Sequence, residues 1–161
     1  MSKIDVAILM GSKTDLPVME EAAKMLKDFG VSYEIKVLSA HRTPKETAEY
    51  AEKARDNGVK VFICGAGGSA ALAGTVAAHT NLPVIGVPVD STPLLGLDAL
   101  LATAQMPPGV PVACVAVGKM GGKNAGLLAL RILGLSDKNI EKKLMQYRED
   151  QRKQILETKL Q

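Results

Sequence analysis

The sequence predicts a doubly wound α/β fold: one five-stranded parallel sheet with helices on both faces. Three observations predict it. Short apolar, β-branched runs alternate with helical patterns along the chain. Four of the five runs are almost continuously apolar, as strands buried on both faces are. The connections are short, and parallel neighbours need right-handed helical crossovers between them.

The elements follow in order. Residues 5–10 make the first strand, and the polar turn Gly11-Ser12-Lys13-Thr14-Asp15 leads into a helix over 16–30. Asp15 is placed to cap that helix, Pro17 sits in its first turn and Gly30 at its end. In the second strand, 32–38, Tyr33, Ile35 and Val37 alternate with Glu34 and Lys36, the pattern of an edge strand with one wet face. Thr43 and Pro44 open a helix over 44–58 that closes at Gly58. The third strand, 59–64, runs into Gly65-Ala66-Gly67-Gly68 and a small-residue helix over 69–80. Strands at 83–87 and 111–117 enclose a helix over 97–105, and another helix spans 122–133. The segment 137–161 is a charged helix with a thin apolar stripe, Ile140, Leu144, Tyr147 and Ile155. Such a helix packs across its own domain or onto a neighbouring subunit. The expectation is a single domain over 1–161, an α/β core at 1–135 plus this C-terminal helix.

Composition narrows the function. The chain has 161 residues, a formal charge of +3 and 3% aromatics. That charge is too small, and the aromatics too scattered, for a nucleic-acid partner. The N-terminus lacks the pattern of a signal peptide. The uncharged run 61–78 has spanning length, but its glycines and its β-rich start fit a strand, a turn and a helix better than a bilayer. Cys64 and Cys114 stand alone, with no metal-ligand spacing and no disulfide framework, as buried thiols in a reducing cytoplasm do.

In a doubly wound sheet, ligands bind outside the carboxyl ends of the strands. The turns after the first three strands therefore make the candidate site: Gly11, Ser12 and Asp15; Ser39, His41 and Arg42; Gly67, Gly68 and Ser69. Helix N-termini and glycine turns offer unpaired N–H groups to an anion. No turn ends in the Gly-Lys-Ser/Thr of a Walker loop. Gly65, Gly67 and Ala70, with Asp90, fit only loosely a dinucleotide fingerprint, and a phosphate on a small molecule fits better. Asp15 is a helix cap or a ligand for ribose hydroxyls. His41 beside Arg42 is the candidate acid and base, with Arg42 fixing an anionic group. His79, in the last turn of its helix, suits a carbonyl cap or a favourable interaction with the helix dipole. The second glycine cluster, 118–126, either closes over the pocket or lets helices cross tightly at a subunit contact.

Together the motifs Met10-Gly11-Ser12-Lys13-Thr14-Asp15, Ser39-Ala40-His41-Arg42-Thr43-Pro44, Gly65-Ala66-Gly67-Gly68, Leu82-Pro83-Val84-Ile85-Gly86-Val87-Pro88, Gln105-Met106-Pro107, Gly109-Val110-Pro111-Val112-Ala113 and Lys123-Asn124-Ala125-Gly126 stand in an order that resembles the N5-carboxyaminoimidazole ribonucleotide mutase family of purine synthesis. The resemblance runs from about Asp5 to Leu135. It implies a three-layer flavodoxin-like fold, a homo-octamer, and isomerisation of a carbamate to the imidazole 4-carboxylate without metal, ATP or organic cofactor. It implies substrate-binding roles for Ser12, Asp15 and Arg42 and a catalytic role for His41. One departure is clear. Where the family usually continues Ala-Ala-His-Leu-Pro-Gly, this chain has Ser69-Ala70-Ala71-Leu72-Ala73-Gly74. Ala71 replaces a histidine and Ala73 a proline. The altered turn keeps two alternatives open, a direct carboxylase using carbon dioxide and a non-catalytic module that binds a phosphorylated metabolite.

Overall fold

The sheet is built from runs that bury both faces. In a computed structural model of the protein, residues 4–159 are described. The first three residues and the last two of the expected C-terminal helix lie outside them. The elements run β1 (Val6–Met10), α1 (Leu16–Phe29), β2 (Tyr33–Val37), α2 (Pro44–Lys53), β3 (Val61–Gly67), α3 (Leu72–Ala78), β4 (Val84–Val89), α4 (Leu97–Ala104), β5 (Ala113–Cys114), α5 (Gly118–Gly134) and α6 (Lys138–Glu157). A 3-10 turn, Lys13–Asp15, precedes α1. The strands lie in the order β2-β1-β3-β4-β5, every pair parallel.

Alternation along each strand divides the core. Val6, Ile8 and Met10 of β1 point to one face, where α1, α5 and the first half of α6 cover them. Ala7 and Leu9 point to the other, against Ala51 of α2 and Leu72, Ala73 and Val76 of α3. This is the three-layer, flavodoxin-like α/β architecture. β1 sends its crossover to β2 on one side while β3 pairs on the other, so the strand order reverses between β1 and β3. The carboxyl ends of the strands diverge there and leave a crevice.

Several boundaries differ from expectation for identifiable reasons. β5 is two residues long: the Val115 N–H still donates to the Gly86 carbonyl of β4 at 3.1 Å, but pairing stops there, and at this edge Ala113 is exposed and Cys114 half-buried. β3 continues through Gly65 and Ala66 to Gly67, pairing with β4 as far as Val89. Gly65 is thus a strand residue whose missing side chain admits Met19 of α1, whose Sδ lies 2.2 Å from where a Cβ would stand. α5 begins at Gly118, four residues early, because tertiary packing outweighs glycine's poor helix propensity. A Cβ on Gly122 would lie 2.2 Å from the Val18 carbonyl oxygen of α1, and one on Gly126 2.9 Å from that of Ala22. Residues 118–126 therefore do not close over the pocket. They let α5 cross α1 closely within one chain.

α6 starts at Asp137, whose carboxylate accepts from the Asn139 and Ile140 N–H groups. Ile140 is buried, and Tyr147 meets Phe29 edge-on at 6.1 Å. Lys143 donates to the Phe29 carbonyl at the end of α1. Beyond that point the helix leaves the core, and Ile155 and Leu156 are exposed. No helix among the described residues is long and apolar enough to cross a membrane.

Candidate active site

Three turns at the carboxyl ends of β1, β2 and β3, and one residue past β4, enclose a cleft of about 330 Å³. Its first wall is the β1 turn. The Ser12 hydroxyl accepts from the Thr14 N–H and hydroxyl, while the Asp15 carboxylate reaches back to accept from the Ser12 N–H at 3.0 Å. This reciprocal box caps the 3-10 turn. Asp15 therefore does not cap α1 with its side chain, as the sequence suggests. It turns the other way, toward the cleft, and is 4% exposed. Burial raises its carboxyl above the usual value, against the opposing pull of the Ser12 N–H and the Arg42 charge.

The second wall is the segment from Ser39 to Thr43. Thr43 likewise makes no side-chain cap of its helix; its hydroxyl donates to the Ser39 carbonyl and accepts from the Ser39 N–H at 2.8 Å, stapling the loop. Arg42 lies across both turns. Its Nη2 donates to the Gly11 carbonyl at 2.6 Å and its Nε to the Ser39 hydroxyl at 3.3 Å. Arg42 thereby ties the β2 loop to the β1 turn. His41, exposed beside it, lines the cleft from the same loop.

The third wall is the turn after β3. Gly68, at φ +61°, reverses the chain, and the Ala70 N–H donates to the Gly67 carbonyl at 3.1 Å. Ala70 itself sits at φ +39°, a conformation few alanines adopt and one found mostly where a site demands it. Ala71 lines the cleft and presents only a methyl group. Ala73 does not reach it. It is buried behind the turn, its Cβ facing Gly86 of β4. Of the replacements at 71 and 73, one alters the site and the other alters the core.

The structure thus brings together Gly11, Ser12, Asp15, Ser39, His41, Arg42, Gly67 and Ser69. Gly68 is off the cleft wall and acts through the shape of the turn. Sequence reasoning missed Ser91, which lines the cleft from the end of β4. Its signal was its place just beyond a strand's carboxyl end. His79 caps no carbonyl with its ring; Nδ1 lies 3.0 Å from Glu52 of α2, away from the cleft. Among the described residues no cluster of three or more metal-ligating side chains exists.

The cleft can hold an anion by backbone N–H groups, hydroxyls and one guanidinium, with an imidazole on the same loop as that guanidinium. The chain as a whole is similar to known proteins. A family model described as AIR carboxylase matches residues 5–154. An N5-carboxyaminoimidazole ribonucleotide mutase of Pyrococcus abyssi is 57% identical over 148 residues, covering 92% of this chain and 84% of that one. One of Saccharolobus solfataricus is 54% identical, covering 96% and 97%. A crystal structure of Treponema denticola PurE superposes with a TM-score of 0.85 at 35% identity, covering 94% of each chain. On these residues, this fold and these relatives, the chain belongs to the AIR carboxylase family.

Proposed function

We propose that the protein is the mutase of purine synthesis that converts 5-carboxyamino-1-(5-phospho-ribosyl)imidazole to 5-amino-1-(5-phospho-ribosyl)imidazole-4-carboxylate. The observation that carries this is the placing of His41 and Arg42 opposite the Gly67–Ala71 turn, with Ser12 and Asp15 between. Arg42 takes the phosphate, its guanidinium matching two oxygens at once. Asp15 takes the ribose hydroxyls, helped by Ser12 and Ser39 and by the close backbone of Gly11. The base lies against Gly67, Ser69 and the apolar Ala70–Leu72 wall.

His41 enters as imidazolium. It gives its proton to the exocyclic nitrogen as the N–C bond of the carbamate breaks, leaving a free amine and carbon dioxide. Ring carbon 4 then attacks the carbon dioxide, and neutral His41 takes the proton that carbon 4 loses. The proton returns to His41, so atoms and charge balance with no added reagent. The step requires the carbon dioxide to stay within reach, which is a proximity effect of a closely fitting cleft. Ala71 has no proton to give, so this scheme assigns both transfers to His41.

Mixing the purified protein with the carbamate at low bicarbonate, and following the 4-carboxylate by ultraviolet absorbance, tests the reading. Isomerisation is expected; turnover only with the decarboxylated ribonucleotide and high bicarbonate would make the protein a direct carboxylase instead, the reading that the altered Ala71 favours. His41→Asn is expected to lower kcat by about 10²- to 10⁴-fold with the melting temperature unchanged.

We further infer a homo-octamer of single-domain subunits, working in the cytoplasm. Exposed Leu94, Leu95, Leu97 and Leu101 around the start of α4, and Ile155 and Leu156 on the free half of α6, support subunit contacts. Cys64, buried, and Cys114, half-buried, are both free thiols, which supports a reducing compartment. A monomer in light scattering would overturn the assembly.

A further inference from the structure

We propose that Ser91 is a substrate-contacting residue, whose hydroxyl donates a hydrogen bond to the carboxylate on carbon 4 in the part of the cleft where Ala71 presents only a methyl. This rests on the mutase reading above.

The placement comes first. The cleft reaches from the β2 end to the β4 end, which is three inter-strand spacings or about 14 Å. A ligand of phosphate, sugar and base in a row fits such a span only lengthwise. Arg42 and Asp15 occupy the β2–β1 half. The β3–β4 half is lined by Ala66, Ala70, Ala71 and Leu72, and its only polar side chains are Ser69 and Ser91. With the phosphate on Arg42, the base extends past His41 toward this second half, and its carboxylate lies there. An anion there must be met by neutral donors.

Ser91 is also held for the task. Its Oγ lies 1.8 Å from where a Cβ on Gly67 would stand, so it occupies space that exists because residue 67 is glycine. The next residue is fixed twice. Thr92 donates to Asp98 at 2.7 Å and accepts from the Leu94 N–H at 3.2 Å, and its methyl faces Gly68. Ser91 is therefore pinned between β4 and an anchored loop, over the backbone of the β3 turn. Among the described residues no side chain takes up its hydroxyl. A hydroxyl suits a carboxylate that must form and leave. It stabilises the anion less than a cation would, and its hydrogen can turn toward either position of the migrating group.

The test separates the carboxylate from the rest of the ligand. In a His41→Asn background, which stops interconversion, calorimetry measures binding of the 4-carboxylate ribonucleotide and of the same ribonucleotide without the carboxylate. Adding Ser91→Ala is expected to weaken the carboxylated ligand about tenfold and the other by less than about twofold. Binding of the second ligand reports that the cleft is intact. Equal weakening of both, or of neither, overturns the role of Ser91 while the unmutated protein still isomerises. If the unmutated protein neither isomerises nor binds either ribonucleotide, the functional reading falls and this inference with it.

Discussion

Residues 65–68, at the end of β3, and residues 118–126, the first turns of α5, are both glycine-rich, yet they do opposite work. In the first, the glycines at 67 and 68 open space at the cleft, one for Ser91 and one for a reversal of the chain. In the second, Gly122 and Gly126 bring the backbones of α1 and α5 together, and neither lines the cleft. Composition was the same; what approaches the bare Cα differs. Added side chains should therefore damage stability in one region and chemistry in the other.

The largest expected effect is on the helix crossing. In an unhindered helix, Gly→Ala gains about 1 kcal/mol. Gly122→Ala instead drives a methyl to 2.2 Å from a carbonyl oxygen. It should cost about 2–3 kcal/mol in urea unfolding, with kcat/KM of the folded protein unchanged. A net gain in stability would break the comparison. Next comes Gly67→Ala, whose methyl displaces Ser91 and narrows the cleft. It should lower kcat/KM about 10- to 100-fold while stability moves by less than about 1 kcal/mol. Loss of stability without loss of activity would place Gly67 with the crossing glycines.

The smallest effect concerns Asp15 and sharpens what kind of region the cleft is. Burial raises its folded-state pKa above that of the open chain, so the fold holds the ionised carboxylate less well than water does. The cost is absent below the unfolded value and fully present above the folded one. Asp15→Asn should therefore stabilise the protein slightly at neutral pH, by about 0.5 kcal/mol. Melting temperatures across acid pH should show the gain vanish as pH falls through the carboxylate range. Substrate affinity should fall at the same time. A cleft residue that stabilises when removed, beside a crossing glycine that destabilises when filled, is the contrast in its sharpest form.

Much of this was legible in the sequence. β1 and β4 stand out because a strand covered on both faces admits only apolar side chains, and β2 because Glu34 and Lys36 need a wet face. The edge of the sheet that carries the site follows from parallel topology alone, so Ser12, His41 and Arg42 can be picked out from the order of strands and turns. Other features depend on contacts that no local pattern encodes. The apolar run 111–117 resembles a long strand, but only Ala113 and Cys114 find ladder partners. Asp15 has the spacing of a helix cap, and its direction is decided by the Ser12 N–H. Gly118 to Gly121 look like a loop until Val87 and Asp90, at the end of β4, and the Ala116 carbonyl are placed against them. Ser91 is an ordinary serine until Gly67 is known to lie beneath it.

Arg42 has a consequence of its own. A free arginine side chain gives up about 2 kcal/mol of rotamer entropy when a ligand immobilises it. Here the Gly11 carbonyl and the Ser39 hydroxyl already fix the guanidinium before anything binds. Most of that ordering is completed during folding, so an anion bound by Arg42 would lose little to it. On the assignment proposed above, the guanidinium is already in place when the ligand arrives, and its ordering is a cost of folding and not of binding.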